Sequence, residues 1–238
     1  MKSARNLHAA FPFQRVVRIP AYLRSLATLI RPDIVRFLPI WVRHVRHVRG
    51  WLRLPDAFLL YRLARARRPA GDIVEIGSAW GRSTVCLAAG SRSVRAERIL
   101  AIDPHTGDDW FLEETGQERI DSLAEFQANV DGAGLHDWVT PLVTTSELAA
   151  RERPAGPIRL LFIDGLHTLE GVQRDIADWV PRVAPGGVIV FDDYDNTADG
   201  VGVRVAVDRL LDSGLVEPTL RRAFNLVWTY RVASPDRA

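Results

Sequence analysis

Leu160-Leu161-Phe162-Ile163-Asp164-Gly165-Leu166-His167 is an apolar run that ends in an acid and an imidazole. Gly186-Gly187-Val188-Ile189-Val190-Phe191-Asp192-Asp193-Tyr194 is a second apolar run that ends in two acids. A helix-like stretch from Leu169 to Val183 separates them. Strand, helix, strand in this order makes the two strands parallel neighbours, because parallel strands need a crossover connection. Open parallel sheets bind ligands at the carboxyl ends of their strands. Asp164, His167, Asp192 and Asp193 are therefore expected at one sheet edge, and that gathering suggests a divalent cation and a base.

Working outward, the same alternation runs through most of the chain. Strands are expected at Ile73–Ile76, Ile99–Ile102, Val139–Val143, Leu160–Ile163 and Val188–Phe191, with a final pair near Val216–Leu220 and Leu226–Val232. Helices are expected around 56–68, 83–89, 121–132, 169–183 and 201–213. Repeated strand–helix units of this size predict a Rossmann-like, doubly wound α/β fold, with a mostly parallel sheet and helices on both faces.

The charge is unevenly placed. The formal net charge is +2 over 238 residues. Residues 1–71 carry fourteen Arg and Lys2 against only Asp33 and Asp56, a balance of +13, and the rest of the chain carries −11. This divides the chain into a basic helical N-terminal extension, 1–54, and an α/β domain, 55–238. Within the extension Arg43, Arg46 and Arg49 recur every three residues, with His44 and His47 between them. That spacing predicts a cationic stripe on a helix beginning near Pro39. Two readings of the stripe stay open. One is docking on an acidic membrane surface or an anionic substrate. The other is packing on the main domain or on a partner subunit, as in a homo-oligomer. Nucleic acid is not expected as a partner, since no DNA- or RNA-binding motif accompanies the charge and the acidic remainder repels phosphate.

No apolar run reaches the roughly 18 residues of a membrane span, and no signal-peptide core stands at the N-terminus. The expected location is the cytoplasm, with the basic segment available for peripheral contact with a membrane. The lone Cys86 falls in the helix after the first strand and is expected to be buried and inert.

Asp72-Ile73-Val74-Glu75-Ile76-Gly77-Ser78-Ala79-Trp80-Gly81-Arg82-Ser83 reads as a strand, a glycine turn and a helix start. Gly77 and Gly81 allow positive φ and close approach of a ligand, and Ser83 or Thr84 stands at the head of the helix. A dinucleotide fingerprint would need G-x-G-x-x-G, which is absent, so NAD and FAD are disfavoured. A P-loop needs Gly-Lys-Ser/Thr, and the only lysine is Lys2. Asp103, at the end of the second strand, is placed to accept hydrogen bonds from a ribose diol. The following loop, His105 to Phe111, holds two acids and Trp110 and reads as a lid over the site. Asp175 and Asp178 are expected to be solvated, Asp195 and Asp199 to be loop acids, and Trp228 to be core.

These residues together resemble the class I S-adenosylmethionine-dependent methyltransferases over about residues 56–232. Val74-Glu75-Ile76-Gly77-Ser78-Ala79-Trp80-Gly81 is similar to the family's first motif, which holds the methionine part of the cofactor. The resemblance implies cofactor contacts from Glu75, Gly77, Ser78, Gly81, Ser83, Asp103 and Asp164, with Ser146 in Thr145-Ser146-Glu147 near the adenine. Phe162 to His167 followed by Asp192-Asp193 is similar to the small O-methyltransferases of sugars and natural products, some of which need magnesium. It implies Mg²⁺ on Asp164, Asp192 and Asp193, with His167 taking the proton of the acceptor hydroxyl. Hard oxygen ligands suit Mg²⁺, whereas zinc would want more nitrogen or sulfur. The expected activity is methyl transfer to a hydroxyl of a sugar, free or on a natural product, glycolipid or polysaccharide. Two rivals are an enzyme that reuses the metal motif for hydroxylase-like chemistry, and a non-catalytic cofactor-binding or scaffold protein.

Overall fold

The computed structural model describes residues 31–107, 120–152, 156–195 and 201–233. Among them, seven strands form one sheet: β1 (Asp72–Ile76), β2 (Ile99–Ile102), β3 (Val139–Leu142), β4 (Ile158–Ile163), β5 (Val183–Phe191), β6 (Arg221–Arg222) and β7 (Val227–Tyr230). Their spatial order is β3-β2-β1-β4-β5-β7-β6. The first five run parallel, and β7 pairs antiparallel with both β5 and β6. The doubly wound expectation holds. The chain reverses its direction of build between β1 and β4, which makes that junction the switch point.

Alternate residues of the central strands enter two separate cores, as the two-residue period of a strand requires. Ile73, Leu160, Phe162, Val188 and Val190 face one core. Val74, Ile76, Leu161, Ile163, Ile189 and Phe191 face the other. The first core is covered by α1 (Ile34–Ile40), α2 (Leu54–Ala64), α3 (Arg82–Ser93) and α4 (Leu123–Gly132). The second is covered by α5 (Ser146–Glu152), α6 (Leu169–Trp179) and α7 (Val201–Asp212). Both faces of β1, β4 and β5 are thus removed from water, which explains their near-continuous apolar runs.

Part of the extension belongs to this packing. Phe37 is fully buried, with its ring centroid 5.0 Å from Tyr61 and 5.6 Å from Phe58 of α2. Burying one such ring contributes roughly 1.5–3 kcal/mol. Val45 and Leu52 join the same core. The helix begins at Ile34, not near Pro39, and Pro39 lies inside it. Proline supplies no N–H for the helical ladder. Beyond it the chain widens into a π-turn over Trp41–Val45, closed by the Arg46 amide donating to the Trp41 carbonyl at 2.9 Å. The helix ends there, so Arg43, Arg46 and Arg49 do not form one continuous stripe. Arg43 and Arg46 point to solvent, whereas Arg49 turns into the wall of the main cavity. The face left exposed by α1 and the π-turn carries Val35, Leu38 and Val42.

Two other expectations are corrected. The segment Val216–Leu220 is not a strand; Val216 makes a single bridge to Arg231, and the edge strand falls at Arg221–Arg222. A helix at Ser146–Glu152 stands where no element was expected. Cys86 is buried as anticipated, and burial pushes its thiol far above the ordinary range. Among the described residues no helix is long and apolar enough to cross a membrane.

Candidate active site

The parallel register builds the site by a staircase of backbone bonds. The Asp103 amide donates to the Leu142 carbonyl at 3.1 Å, Gly77 to Ile102 at 2.9 Å, Asp164 to Ile76 at 2.9 Å and Asp192 to Ile163 at 3.2 Å. Each residue just past a strand end is thereby fixed beside its neighbour. Asp103, Gly77, Asp164 and Asp192 stand in a row at the carboxyl edge, on both sides of the switch point.

A cavity of about 630 Å³ opens over this row. Gly77, Ser78, Ser83, Asp103, Ser146, Asp164, His167, Asp192 and Asp193 all reach its wall. Its size suits a ligand larger than a simple ion, within the ordinary range of cofactor sites.

The glycine loop is shaped for close approach. Gly77 has φ +86°, and a Cβ there would lie 1.9 Å from the Asp164 carbonyl oxygen. Gly81 has φ +87° and precedes α3, whose N-terminus faces the cavity. The loop is held from below and from the side. Asp103 Oδ2 accepts from the Ala79 amide at 2.8 Å, and its Oδ1 accepts from the His105 amide at 2.6 Å. The amide side chain of Asn129 donates to the Trp80 carbonyl at 2.9 Å. Ser78 Oγ is buried at the cavity wall and has no hydrogen-bond partner among the described residues, an acceptor and donor in place for a ligand.

Glu75 is placed differently from the expectation. Its side chain lies on the α3 face of the sheet, fully buried beneath the loop and off the cavity wall. Its Oε2 accepts from Thr84 Oγ1 at 2.5 Å. Burial pushes its carboxyl up to about 8, against the pull of Ser83 and Thr84. Glu75 therefore braces the loop and the first turn of α3 instead of touching a ligand, because the strand's alternation turns it toward the helix.

At the other side of the switch point, His167 Nε2 lies 3.6 Å from Asp164 Oδ1 and 3.4 Å from Asp193 Oδ2. Asp193 adopts φ +55°, a conformation that Asp tolerates better than most residues. Its amide donates to Asp192 Oδ1 at 2.8 Å. Burial pushes the Asp164 carboxyl up to about 6, with Asp193 and Asp103 adding to the rise and His167 opposing it. Burial, then Asp164 and Asp193, push Asp192 well above the usual carboxylate range. The carboxylates are thus crowded beyond what one imidazole balances. Among the described residues no group of three or more His, Cys, Asp or Glu forms a preassembled metal cage. The three acids share an edge without already converging on one point.

Other residues differ from their expected roles. Asp175 is buried, not solvated, and accepts a short hydrogen bond from Ser146 Oγ; burial pushes its carboxyl up to about 6. Both line the cavity, so the Ser146 position is anchored by a residue of α6. His105 is buried against Phe126 and pairs with Ser122 at 2.7 Å, so it belongs to the scaffold and not to a lid. Asp108, Asp109, Trp110, Phe111 and Asp199 lie outside the described residues. Asp195 is an exposed acid that pairs with Arg204 and Arg222.

Sequence reasoning missed three parts of the wall. Residues Arg49 to Arg53, from the basic extension, close one side of the cavity. Arg82 holds that segment through the carbonyls of Val48 and Gly50, at 2.9 and 2.7 Å. Asp56 is fully buried and accepts from the amides of Phe224, Asn225 and Leu226, which fixes Asn225 at the wall. Being one of only two acids in so basic a stretch was the available signal for Asp56.

Comparison with known proteins agrees with this architecture. A methyltransferase-domain family matches residues 74–194. The chain is 31% identical over 161 residues to the uncharacterised protein y4gI of Sinorhizobium fredii; the match covers 65% of the chain but only 16% of that much longer protein. Among solved structures, the O-methyltransferase NovP superposes with a TM-score of 0.62 at 18% identity, over 90% of this chain and 100% of NovP. The O-methyltransferase TomG of Streptomyces achromogenes, from tomaymycin synthesis and in complex with S-adenosylmethionine, gives 0.57 at 20% identity over 89% and 95%. CalS11, a TDP-rhamnose 3′-O-methyltransferase of calicheamicin biosynthesis, gives 0.52 at 16% identity over 88% and 92%. With the glycine loop, Asp103 and the strand order in place, the chain belongs to the class I S-adenosylmethionine-dependent methyltransferase family.

Proposed function

We propose that this chain transfers a methyl group from S-adenosylmethionine to a hydroxyl of a sugar, free or carried by a natural product, glycolipid or polysaccharide. The observation that carries the reading is the position of His167 between Asp164 and Asp193, in the same cavity as the glycine loop. An imidazole flanked by carboxylates is oriented to take a proton, and it sits at the strand ends where an acceptor meets the cofactor.

The residues divide the work. The loop from Gly77 to Gly81 and Ser78 Oγ would hold the methionine part of the donor, and Asp103 the ribose. Ser146, anchored by Asp175, would border the adenine. His167 would accept the acceptor's hydroxyl proton while the oxygen forms its bond to the methyl carbon. The carbon–sulfur bond breaks with its electrons on sulfur, leaving S-adenosylhomocysteine and a methyl ether.

Mg²⁺ fits the donor set. Asp164, Asp192 and Asp193 are hard oxygen donors, and burial together with the neighbouring acids pushes the carboxyls of Asp164 and Asp192 up, a cost that a bound cation would offset. When bound by these three, the ion would supply positive charge where the acceptor oxygen develops its own negative charge. The sugar acceptor draws support from CalS11 and from the carboxylates and indole side chains that line the cavity.

Calorimetric titration of S-adenosylhomocysteine, with Mg²⁺ and with EDTA, tests the reading in wild type and in the Asp192→Ala/Asp193→Ala double variant. Micromolar binding to wild type, followed by metal-stimulated methylation of a glycoside panel that the double variant loses, is the expected result. Folded protein that binds no S-adenosylhomocysteine under any condition overturns it.

A further inference from the structure

We infer that the acceptor carries an anionic oxyacid group, phosphate or carboxylate, and that Arg49 and Arg53 receive it at the extension side of the cavity. This deepens the proposed methyl transfer and rests on it. The cavity has two chemically opposite ends. Its floor, at the strand ends, holds Asp103, Asp164, Asp192 and Asp193. Its wall from the basic extension holds Arg49, Trp51 and Arg53, with Asn225 and the Trp80 indole beside them.

The cations of that wall differ in how far they are already spent. Arg82 donates to the carbonyls of Val48 and Gly50, so it is committed to structure. Among the described residues Arg49 has one ion pair, Glu125 at 3.6 Å, between two well-exposed side chains, a contact worth little in water. Its guanidinium also lies 5.7 Å from the Trp80 ring centre. Arg53 rests 4.6 Å from the ring centre of Phe224, and among the described residues no carboxylate stands within ion-pair distance of it. The aromatic faces hold both guanidinium groups in place while leaving their N–H edges available, as stacked arginines do. The Trp51 indole lies 6.2 Å from Trp80 in the same wall.

The consequence is an orienting field. An acceptor with an anion at one end and hydroxyls at the other is drawn at the first to the arginines of the extension wall. Its hydroxyl end is then the one that reaches His167. A neutral acceptor receives no such direction. Charge-assisted contacts between guanidinium and oxyanion are the strong kind, and their advantage is about tenfold in affinity per well-made pair.

The test uses full-length protein loaded with S-adenosylhomocysteine, whose own binding is measured first. Inorganic pyrophosphate and glucose 1-phosphate form the phosphate arm, glucuronic acid the carboxylate arm, and methyl glucoside the neutral control. The expected result is that at least one anionic probe binds about tenfold more tightly than the neutral control. The advantage should fall in Arg49→Ala and Arg53→Gln, persist in Arg53→Lys, and weaken with salt. The arm that binds identifies the anion. If loaded protein binds no anionic probe better than methyl glucoside, or if the advantage survives both charge removals, the inference is overturned. Loss of S-adenosylhomocysteine binding in wild type would instead overturn the methyltransferase reading beneath it.

Discussion

The guanidinium of Arg82 donates to the carbonyl oxygen of Gly50 at 2.7 Å, which ties the first residue of the helix after the glycine loop to the wall built by the extension. A second bond from the same nitrogen reaches Val48 at 2.9 Å, and the group stacks over Trp41 at 5.4 Å. One side chain thus couples the glycine loop to the extension wall of the cavity. Arg82→Met keeps the apolar stem and removes the donors. Hydrogen bonds from a charged group contribute roughly 1.5–3 kcal/mol each, so losing the two should cost about 3 kcal/mol or more in chemical denaturation. KM for the acceptor should rise more than Kd for S-adenosylhomocysteine, because the freed segment is Arg49 to Arg53. Equal changes in the two constants would break the proposed coupling.

The glycine turn offers a sharper comparison. At Gly77 a new methyl would meet the Asp164 carbonyl at 1.9 Å, in a backbone conformation already costly for L residues. Gly186 has φ +78° as well, yet nothing stands within 4 Å of its missing Cβ. Gly186→Ala should therefore cost only the conformational part, about 1–2 kcal/mol. Gly77→Ala adds a clash between backbone groups of β1 and β4 and should cost about 4 kcal/mol or more, with loss of cofactor binding. Thermal and urea unfolding of the two variants check this; similar costs would mean that the close approach is not what selects glycine at 77.

Much of this architecture was readable before any coordinates, and the reasons are physical. The runs at 160–163 and 188–191 are apolar on both faces, as a strand buried between two layers requires. The acids after them sit one residue past the strand end, so register alone brings Asp164 and Asp192 together. What the chain did not disclose depends on three-dimensional crossing. The Arg49 and Arg53 wall is contributed by a segment remote in sequence from the loop it faces, and no local period signals that. Charge periodicity was misleading over 43–49 because it assumes an unbroken helix, and the chain stops being helical after Val45. Glu75 was placed with the ligands by its motif, whereas the two-residue alternation of β1 turns it onto α3. Asp175 shows the same limit from the other side: a helical acid is ordinarily solvated, and only the approach of Ser146 makes this one interior.

His167 is the residue on which the proposed chemistry turns. His167→Gln retains polar character but cannot take a proton at neutral pH. The expected result is a fall in kcat of about 10²–10⁴, the usual worth of general base catalysis, with S-adenosylhomocysteine affinity unchanged. Asp193→Asn, which removes one flanking charge at 3.4 Å, should lower kcat by a smaller factor. Rate measurements at saturating donor check both. A His167→Gln enzyme with near-normal kcat would remove the imidazole from the reaction and leave it a structural neighbour of Asp164.

Glu75 supplies a prediction about stability and pH whose sign follows from its position. Burial pushes its carboxyl up to about 8, from an ordinary 4.5, so the folded chain holds a proton that the unfolded chain gives up above about 4.5. The favourable contribution of the protonated group is complete below that value and is lost progressively as pH rises through about 8. Glu75→Gln carries no such proton, keeps an acceptor for Thr84 and has nearly the same volume. Wild type and variant should therefore be close in stability near pH 4.5, with the variant gaining steadily toward pH 8 by an amount on the order of a few kcal/mol. Asp56 and Asp175, each pushed up to about 6, add slopes of the same sign in both proteins and cancel in the difference. Urea denaturation of the pair across that pH range reads the difference directly. Parallel curves would show that Glu75 is ionised in the folded protein throughout, and a variant less stable at every pH would show that the glutamine NH2, placed where Oε1 has no partner among the described residues, is left buried and unsatisfied.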